Sequence, residues 1–171
     1  EEVAYILDDS GSRSLVTTTA KADVTAEALR AAPNVTLPLL IGDADPRFEG
    51  YVDAISTMPT DHLEEEPAGE MMLYSSGTTG RPKGIKRPLP GNTIDQGIMI
   101  AALLGGVFGM DANTVYLSPA PLYHSAPIGF NLGVQALGGT TVIMEKYDPV
   151  EALRLIESHS ASHSQWVPTM F

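Results

Sequence analysis

The chain has 171 residues, and its hydrophobic content of 43% is enough to bury a sizeable core in one globular domain. Ten Lys and Arg residues against 21 Asp and Glu residues give a formal net charge of −11, which disfavours binding to nucleic acid and to anionic membrane surfaces. Because the chain contains no cysteine, disulfides, thiolate nucleophiles and cysteine-based metal sites are excluded.

The amino-terminal segments alternate between helix-like and strand-like patterns. Apolar residues at helical spacing predict a helix over residues 1–9, and Ser10-Gly11 would end it. Alternation of strands and helices after that point favours a parallel sheet. The predicted elements are a strand at 14–18, a helix at 25–31 that Pro33 stops, a strand at 37–41 and a short helix at 48–55.

Residues 59–69 are polar and contain prolines, which predicts a surface linker. The run Glu64-Glu65-Glu66 could instead be an acidic metal-binding tract. Since consecutive carboxylates without interleaved ligands usually form a solvated face, we favour the linker and assign no metal site.

The next stretch has the composition of an anion-binding loop. Met71-Met72-Leu73 predicts a buried strand that leads into Tyr74-Ser75-Ser76-Gly77-Thr78-Thr79-Gly80-Arg81-Pro82-Lys83-Gly84. Backbone N–H groups, Ser and Thr hydroxyls and one lysine can converge there on a phosphate. The Walker pattern does not fit, because Lys83 precedes Gly84 rather than Ser or Thr, and no Gly-x-Gly fingerprint occurs. The following Lys86-Arg87-Pro88-Leu89-Pro90 could add positive charge near a nucleotide or form a solvated loop.

The second half of the chain alternates in the same way. Asp148-Pro149-Val150-Glu151 predicts a helix start, with Asp at the cap and Pro at the first position. The whole pattern predicts an α/β fold with an open, doubly wound, mostly parallel sheet and helices on both faces. The predicted elements are a helix at 92–108, expected to be the longest, a strand at 115–118, a helix from about Ile128 to Gly138, a strand at 141–144, a helix from 149 to His159 and a strand at 162–167.

A second group of unusual residues is Pro121-Leu122-Tyr123-His124-Ser125, which follows the strand at 115–118. A histidine beside a tyrosine is more often a structural residue than a ligand contact, and both interpretations stay open on these residues alone. His159 and His163 have the spacing of two zinc ligands on a helix, but His163 falls in a predicted strand, so we reject zinc. Trp166 is more typical of core packing than of a cofactor contact.

The eleven residues from Tyr74 to Gly84 resemble the signature of the adenylate-forming (AMP-binding) superfamily, which includes acyl-CoA synthetases, peptide-synthetase adenylation domains and luciferases. Pro121 to Ser125 resembles the next motif of that family, which places a histidine beside the acyl pocket. The resemblance covers the central part of the large amino-terminal domain. Residues 1–171 are therefore expected to be part of its nucleotide- and acyl-binding region, with the carboxy-terminal domain outside the chain.

The resemblance implies a fragment of an ATP-dependent acid–thiol ligase, of the acyl-CoA synthetase kind. In such enzymes a carboxylic acid, here a fatty or other bulky apolar acid, attacks the α-phosphate of ATP, and a thiol such as coenzyme A then displaces AMP. ATP, Mg²⁺ and coenzyme A are the implied cofactors. The implied nucleotide-binding residues are Ser75, Ser76, Gly77, Thr78, Thr79, Gly80 and Lys83, the implied catalytic residues are Lys83 and Thr78, and the implied acid-binding residues are Tyr123 and His124.

The sequence also departs from the family pattern. Lys86, Arg87 and Pro88 stand where many relatives carry a histidine, and the magnesium, ribose and catalytic-lysine motifs of the family do not occur in the chain. The isolated chain is therefore expected to be inactive, and a non-catalytic phosphate-binding or structural role is the alternative. The longest apolar stretch, 98–110, is shorter than the roughly 20 residues that span a bilayer, so we expect a cytoplasmic protein, which could form a homo-oligomer.

Overall fold

A computed structural model describes residues 1–75 and 80–171. The chain divides into two compact units rather than the single unit expected from its length. One unit comprises residues 1–64 and 70–89, and the other comprises residues 65–69 and 90–171. Part of the predicted linker thus belongs to the second unit, where Ala68 is buried and its backbone N–H donates to the Asn92 carbonyl.

The first unit contains a three-stranded parallel sheet whose middle strand is the second in sequence. Pairing of the first two strands begins with Ser14 opposite Leu37. Leu7, on the first helix, packs with Ala28 and Ala32 in a buried cluster beside this sheet. The elements are α1 (Glu2–Asp9), β1 (Ser14–Thr18), α2 (Ala22–Leu29), β2 (Leu37–Ile41), β3 (Glu49–Gly50) and α3 (Tyr51–Ser56).

The first unit also contains an antiparallel hairpin of β4 (Leu73–Ser75) and β5 (Lys83–Ile85). Sequence analysis predicted a strand at 71–73 and a loop through Lys83, so it missed β5 and placed β4 two residues early. Gly84 permits the close pairing, because a Cβ at this position would clash with the Met72 side chain and lie 3.0 Å from the Tyr74 ring.

The second unit is a three-stranded parallel sheet with helices on both faces. Its middle strand carries Tyr116 and Leu117, which point to opposite faces and are almost fully buried. Tyr116 packs with Leu104 and Val134 on one face, whereas Leu117 packs with Met144 and Ala152 on the other. The elements are α4 (Met99–Phe108), β6 (Val115–Ser118), α5 (Ser125–Ala136), β7 (Thr140–Ile143), α6 (Pro149–His159) and β8 (His163–Ser164), with strand order β7-β6-β8.

Several boundaries in the second unit differ from the prediction, and β7 begins one residue before the predicted strand at 141–144. The helix predicted at 92–108 begins only at Met99, because Gly97 has a φ of 80° that breaks the helical path, and α5 is longer than α4. Helix α5 begins at Ser125, before the expected Ile128, since a proline such as Pro127 is tolerated in the first turn. The last strand spans two residues rather than 162–167, and Trp166 packs against the Leu117 cluster as predicted.

The α/β class with parallel sheets is confirmed. The described strands form two parallel sheets and one antiparallel hairpin rather than a single continuous sheet. In the part of the chain that the structure describes, no helix combines the length and the apolar character that crossing a bilayer requires.

Candidate functional site

Ser75 and Lys83, two of the predicted phosphate-binding residues, lie at the end of the β4–β5 hairpin where the chain passes from one strand to the other. Ser75 ends β4 and is paired directly with Lys83, the first residue of β5. Directly opposed residues in an antiparallel pair carry their side chains on the same face, so a hydroxyl and an ammonium group stand side by side. Both residues are exposed, and Gly80 lies three residues before Lys83 in the chain. The predicted residues Ser76, Gly77, Thr78 and Thr79 lie outside the described residues.

Positive charge is concentrated on the chain segment that contains β5. Arg81, Lys83, Lys86 and Arg87 occur within one short exposed segment of a chain that is strongly acidic overall. A local cluster of cations attracts an anion even when the net charge of the protein is negative. The exposed Lys83 ammonium group and the Ser75 hydroxyl, which lies 3.5 Å from the Lys83 carbonyl oxygen, are donors of the kind that phosphate oxygens accept.

The hairpin is held against α1 by two tyrosines. The Tyr5 hydroxyl donates to the Pro82 carbonyl at 3.0 Å, and the Tyr74 hydroxyl donates to Asp9 Oδ2 at 2.6 Å. The two rings meet edge to face with centroids 6.4 Å apart. Partial burial, together with the hydrogen bond to the Asp9 carboxylate, raises the pKa of Tyr74 to about 12. Sequence reasoning missed these residues, although Tyr5 and Asp9 have the spacing of neighbours on one helix face.

A cavity of about 650 Å³ lies beside α1 and the segment from Gly80 to Pro82. Glu1, Glu2 and Asp8 line it, and Arg81 is its cationic member. An excess of carboxylates repels a triphosphate. We therefore do not assign this cavity to the nucleotide.

Tyr123 and His124 lie immediately before α5 in the second unit. Their rings are in contact, with centroids 4.4 Å apart. His124 occupies the cap position of α5, and its carbonyl accepts a hydrogen bond from the Ile128 N–H. Both side chains are exposed, with Tyr123 at 78%. Exposure argues against the interpretation of His124 as a buried packing residue, and leaves its ring available to a ligand.

A buried hydrogen-bond link lies behind this segment. The Asn131 side-chain nitrogen donates to Ser118 Oγ and to the Pro127 carbonyl, each at 2.8 Å. Ser118 ends β6, and Pro127 lies in the first turn of α5, so the link fixes both ends of the segment that carries Tyr123 and His124. Asn131 Oδ1 is buried without a partner among the described residues. Sequence reasoning did not identify this asparagine, because an isolated Asn inside an apolar helix gives no functional pattern.

The resemblance implies Mg²⁺, which prefers carboxylate and other oxygen ligands. In residues 1–75 and 80–171, no group of three or more His, Asp or Glu side chains is arranged to hold a metal ion.

The family model described as "AMP-binding enzyme" matches residues 1–171. The chain therefore belongs to the AMP-binding enzyme family.

Named relatives and a solved structure agree with this assignment. The chain is 34% identical over 108 residues to 4-hydroxybutyrate--CoA ligase 2 of Metallosphaera sedula, covering 63% of this chain and 19% of the relative. It is 27% identical over 187 aligned residues to "Probable acyl-activating enzyme 5, peroxisomal" of Arabidopsis thaliana, covering 98% of this chain and 33% of that relative. The inhibitor-bound amino-terminal domain of FACL13 from Mycobacterium tuberculosis superposes with a TM-score of 0.73 at 26% identity, covering 99% of this chain and 41% of that one. The chain thus spans a third or less of the length of these two curated relatives.

Proposed function

We propose that residues 1–171 are the nucleotide- and acyl-binding part of the large amino-terminal domain of an AMP-forming acid–thiol ligase. This ligase activates a carboxylic acid with ATP as an acyl adenylate, and transfers the acyl group to coenzyme A. Membership of the AMP-binding enzyme family and the match to an amino-terminal domain support the proposal.

The pairing of Ser75 with Lys83 is the observation that carries the proposal. We assign to the exposed Lys83 ammonium group the charge-assisted hydrogen bonds to phosphate oxygens, and to the Ser75 hydroxyl the role of a second donor beside it. As charge moves onto the leaving pyrophosphate, Lys83 compensates it, and so lowers the barrier to adenylation. We assign Thr78 the same role as a hydroxyl donor from the resemblance alone.

The acid is proposed to be fatty or otherwise bulky and apolar. The exposed ring pair of Tyr123 and His124, next to Pro121, provides an apolar surface with one polar ring edge, as suits an acid with an apolar tail. The name of the Metallosphaera sedula relative gives 4-hydroxybutyrate, a small polar acid, so the proposal of an apolar acid rests on this segment.

The test is carboxylate-dependent exchange between ATP and pyrophosphate by the full-length ligase of which this chain is proposed to be part. We expect exchange with a medium- or long-chain acid, and coenzyme A thioester formation when coenzyme A is added. The 171-residue chain alone is expected to show no exchange, since positioning for this chemistry requires several groups acting together. Binding of ATP by the full-length protein without any exchange would favour the alternative, a non-catalytic phosphate-binding module.

The expected cytoplasmic location is part of the same proposal. A fluorescent fusion of the full-length protein tests it against the peroxisomal location that the name of the Arabidopsis relative states.

A further inference from the structure

The peptide that joins Pro82 to Lys83 is held from outside the hairpin. Its carbonyl oxygen accepts the hydrogen bond from the Tyr5 hydroxyl, across 77 positions of sequence. A peptide unit is planar, so fixing the carbonyl also fixes the orientation of the N–H at the start of Lys83. The Tyr5 hydroxyl is therefore tied to the peptide from which the Lys83 side chain departs.

Tyr5 makes a second contact one residue earlier. The Arg81 guanidinium lies over the Tyr5 ring, 5.3 Å from its centroid, which is a cation–π contact. One side chain thus contacts both residues that precede Lys83, through its ring to Arg81 and through its hydroxyl to Pro82. The ring makes one contact and the hydroxyl makes the other, so a substitution can remove the hydroxyl contact and keep the ring contact.

Tyr5 is itself held in place by the hairpin and by α1. Tyr74, which is paired with Gly84 across the hairpin, packs edge to face with Tyr5 and is hydrogen-bonded to Asp9. Tyr5 and Asp9 lie one helical turn apart on α1, so the same helix face contacts β4 and the two residues that precede β5.

The burial of α1 does not depend on these polar contacts. Leu7 is the buried residue of this helix and packs with Ala28 and Ala32, whereas Tyr5 is half-buried. Loss of the Tyr5 hydroxyl leaves that apolar packing intact. A local effect on Lys83 can therefore be distinguished from a general loss of stability.

The geometry points to Tyr5 as a positioning residue, which fixes the Pro82–Lys83 peptide and holds Arg81 so that the Lys83 ammonium group is presented to a phosphate. The kinetic effect expected from this inference rests on the proposed function. The expected effect on the backbone of the hairpin does not.

The kinetic arm of the test uses Tyr5→Phe in the full-length ligase. This variant keeps the ring beside Arg81 and removes only the hydroxyl. We expect KM for ATP to rise, or the adenylation rate to fall, by roughly threefold to tenfold, because one hydrogen bond is lost. KM for the acid and the melting temperature should be unchanged. Tyr5→Leu, which also removes the ring, should have a larger effect in the same direction.

Tyr147→Phe is the matched control. It also removes a tyrosine hydroxyl that donates to a backbone carbonyl, that of Met170, in the second unit. We expect no change in KM for ATP in this variant. Equal effects of Tyr5→Phe and Tyr147→Phe, or equal changes in both KM values for Tyr5→Phe, would overturn the positioning role.

The structural arm uses amide hydrogen exchange on the 171-residue chain itself, and needs no catalytic activity. Tyr5→Phe should accelerate exchange at Lys83–Ile85, whereas Tyr147→Phe should not. If the unsubstituted full-length protein shows no ligase activity, the proposed function fails, and this arm alone decides the role of Tyr5. Unchanged exchange at Lys83–Ile85 in Tyr5→Phe would overturn the inference.

Discussion

Asn131 joins the end of β6 to the first turn of α5, because its side-chain nitrogen donates to Ser118 Oγ at 2.8 Å as well as to the Pro127 carbonyl. Ser118 is fully buried and Asn131 is 5% exposed, so water does not compete for these hydrogen bonds. The segment between them contains Tyr123 and His124. The position of these two rings therefore depends on one buried asparagine.

Replacement of Asn131 by alanine should lower the free energy of unfolding by about 1–3 kcal/mol, because Ser118 Oγ and the Pro127 carbonyl lose a partner inside the protein. Urea unfolding of the 171-residue chain measures this. Gln135→Ala is the matched control, since Gln135 is exposed on the same helix and should change stability by less than about 0.5 kcal/mol. Equal losses in the two variants would contradict the role of the buried link.

Lys83→Ala in the full-length ligase should slow adenylation by roughly tenfold to a hundredfold, because a charge-assisted donor to the leaving pyrophosphate is lost. Thr78→Ala should act in the same direction. Both variants should affect the thiol step less. Lys146→Ala, an exposed lysine of the second unit, serves as the control and should leave adenylation unchanged. Normal adenylation in Lys83→Ala and Thr78→Ala would remove the hairpin from the mechanism.

His124→Ala in the full-length ligase should raise KM for the acid or change the accepted chain lengths, with KM for ATP little altered. Because His124 is exposed, the melting temperature should not fall. His159→Ala, at the exposed end of α6, is the control variant. Both KM values and the melting temperature are measured on one preparation of each protein, and an effect confined to ATP would show that His124 serves the other substrate.

Arg47→Ala should return the pKa of Asp45 toward its ordinary value of 3.8, because hydrogen bonds from the Arg47 side chain and backbone N–H lower the pKa of this carboxyl to about 2. A lowered pKa in the folded state stabilises the protein above pH 3.8, and this contribution is lost as the pH falls toward 2. Carboxyl-carbon NMR titration measures the pKa directly. Arg154→Ala, whose partner Glu151 lies 3.7 Å away, should leave the titration of Asp45 unchanged.

The parts of the fold that were predicted correctly have local sequence signals. Strands at 14–18, 37–41 and 115–118 were predicted at their observed bounds, because each is a run of β-favouring or apolar residues between turn residues. The start of α6 was also predicted correctly, since Asp148 caps the helix by accepting from the Glu151 N–H.

The parts that were missed depend on partners distant in sequence. Strand β5 has the sequence Lys-Gly-Ile, in which a central glycine disfavours a strand, and it forms only because β4 pairs with it. The hydrogen bond from Tyr5 to Pro82 spans most of the first unit in sequence, so no local pattern predicts it. The residues proposed to bind phosphate were found from the motif, whereas the tyrosines that hold Lys83 in place required the three-dimensional structure.

Tyr116 and Leu117 are buried on opposite faces of the sheet, and this restricts the register in which β6 can pair with its neighbours. A slip of one residue would turn the large Tyr116 ring toward Ala152, which is 1% exposed and already packed with Leu117 and Met144. The same slip would put a leucine where the phenol ring now fills the space between Leu104 and Val134. The difference in volume between these two adjacent side chains therefore selects a single register for the strand, and with it the point at which the chain leaves the sheet toward His124.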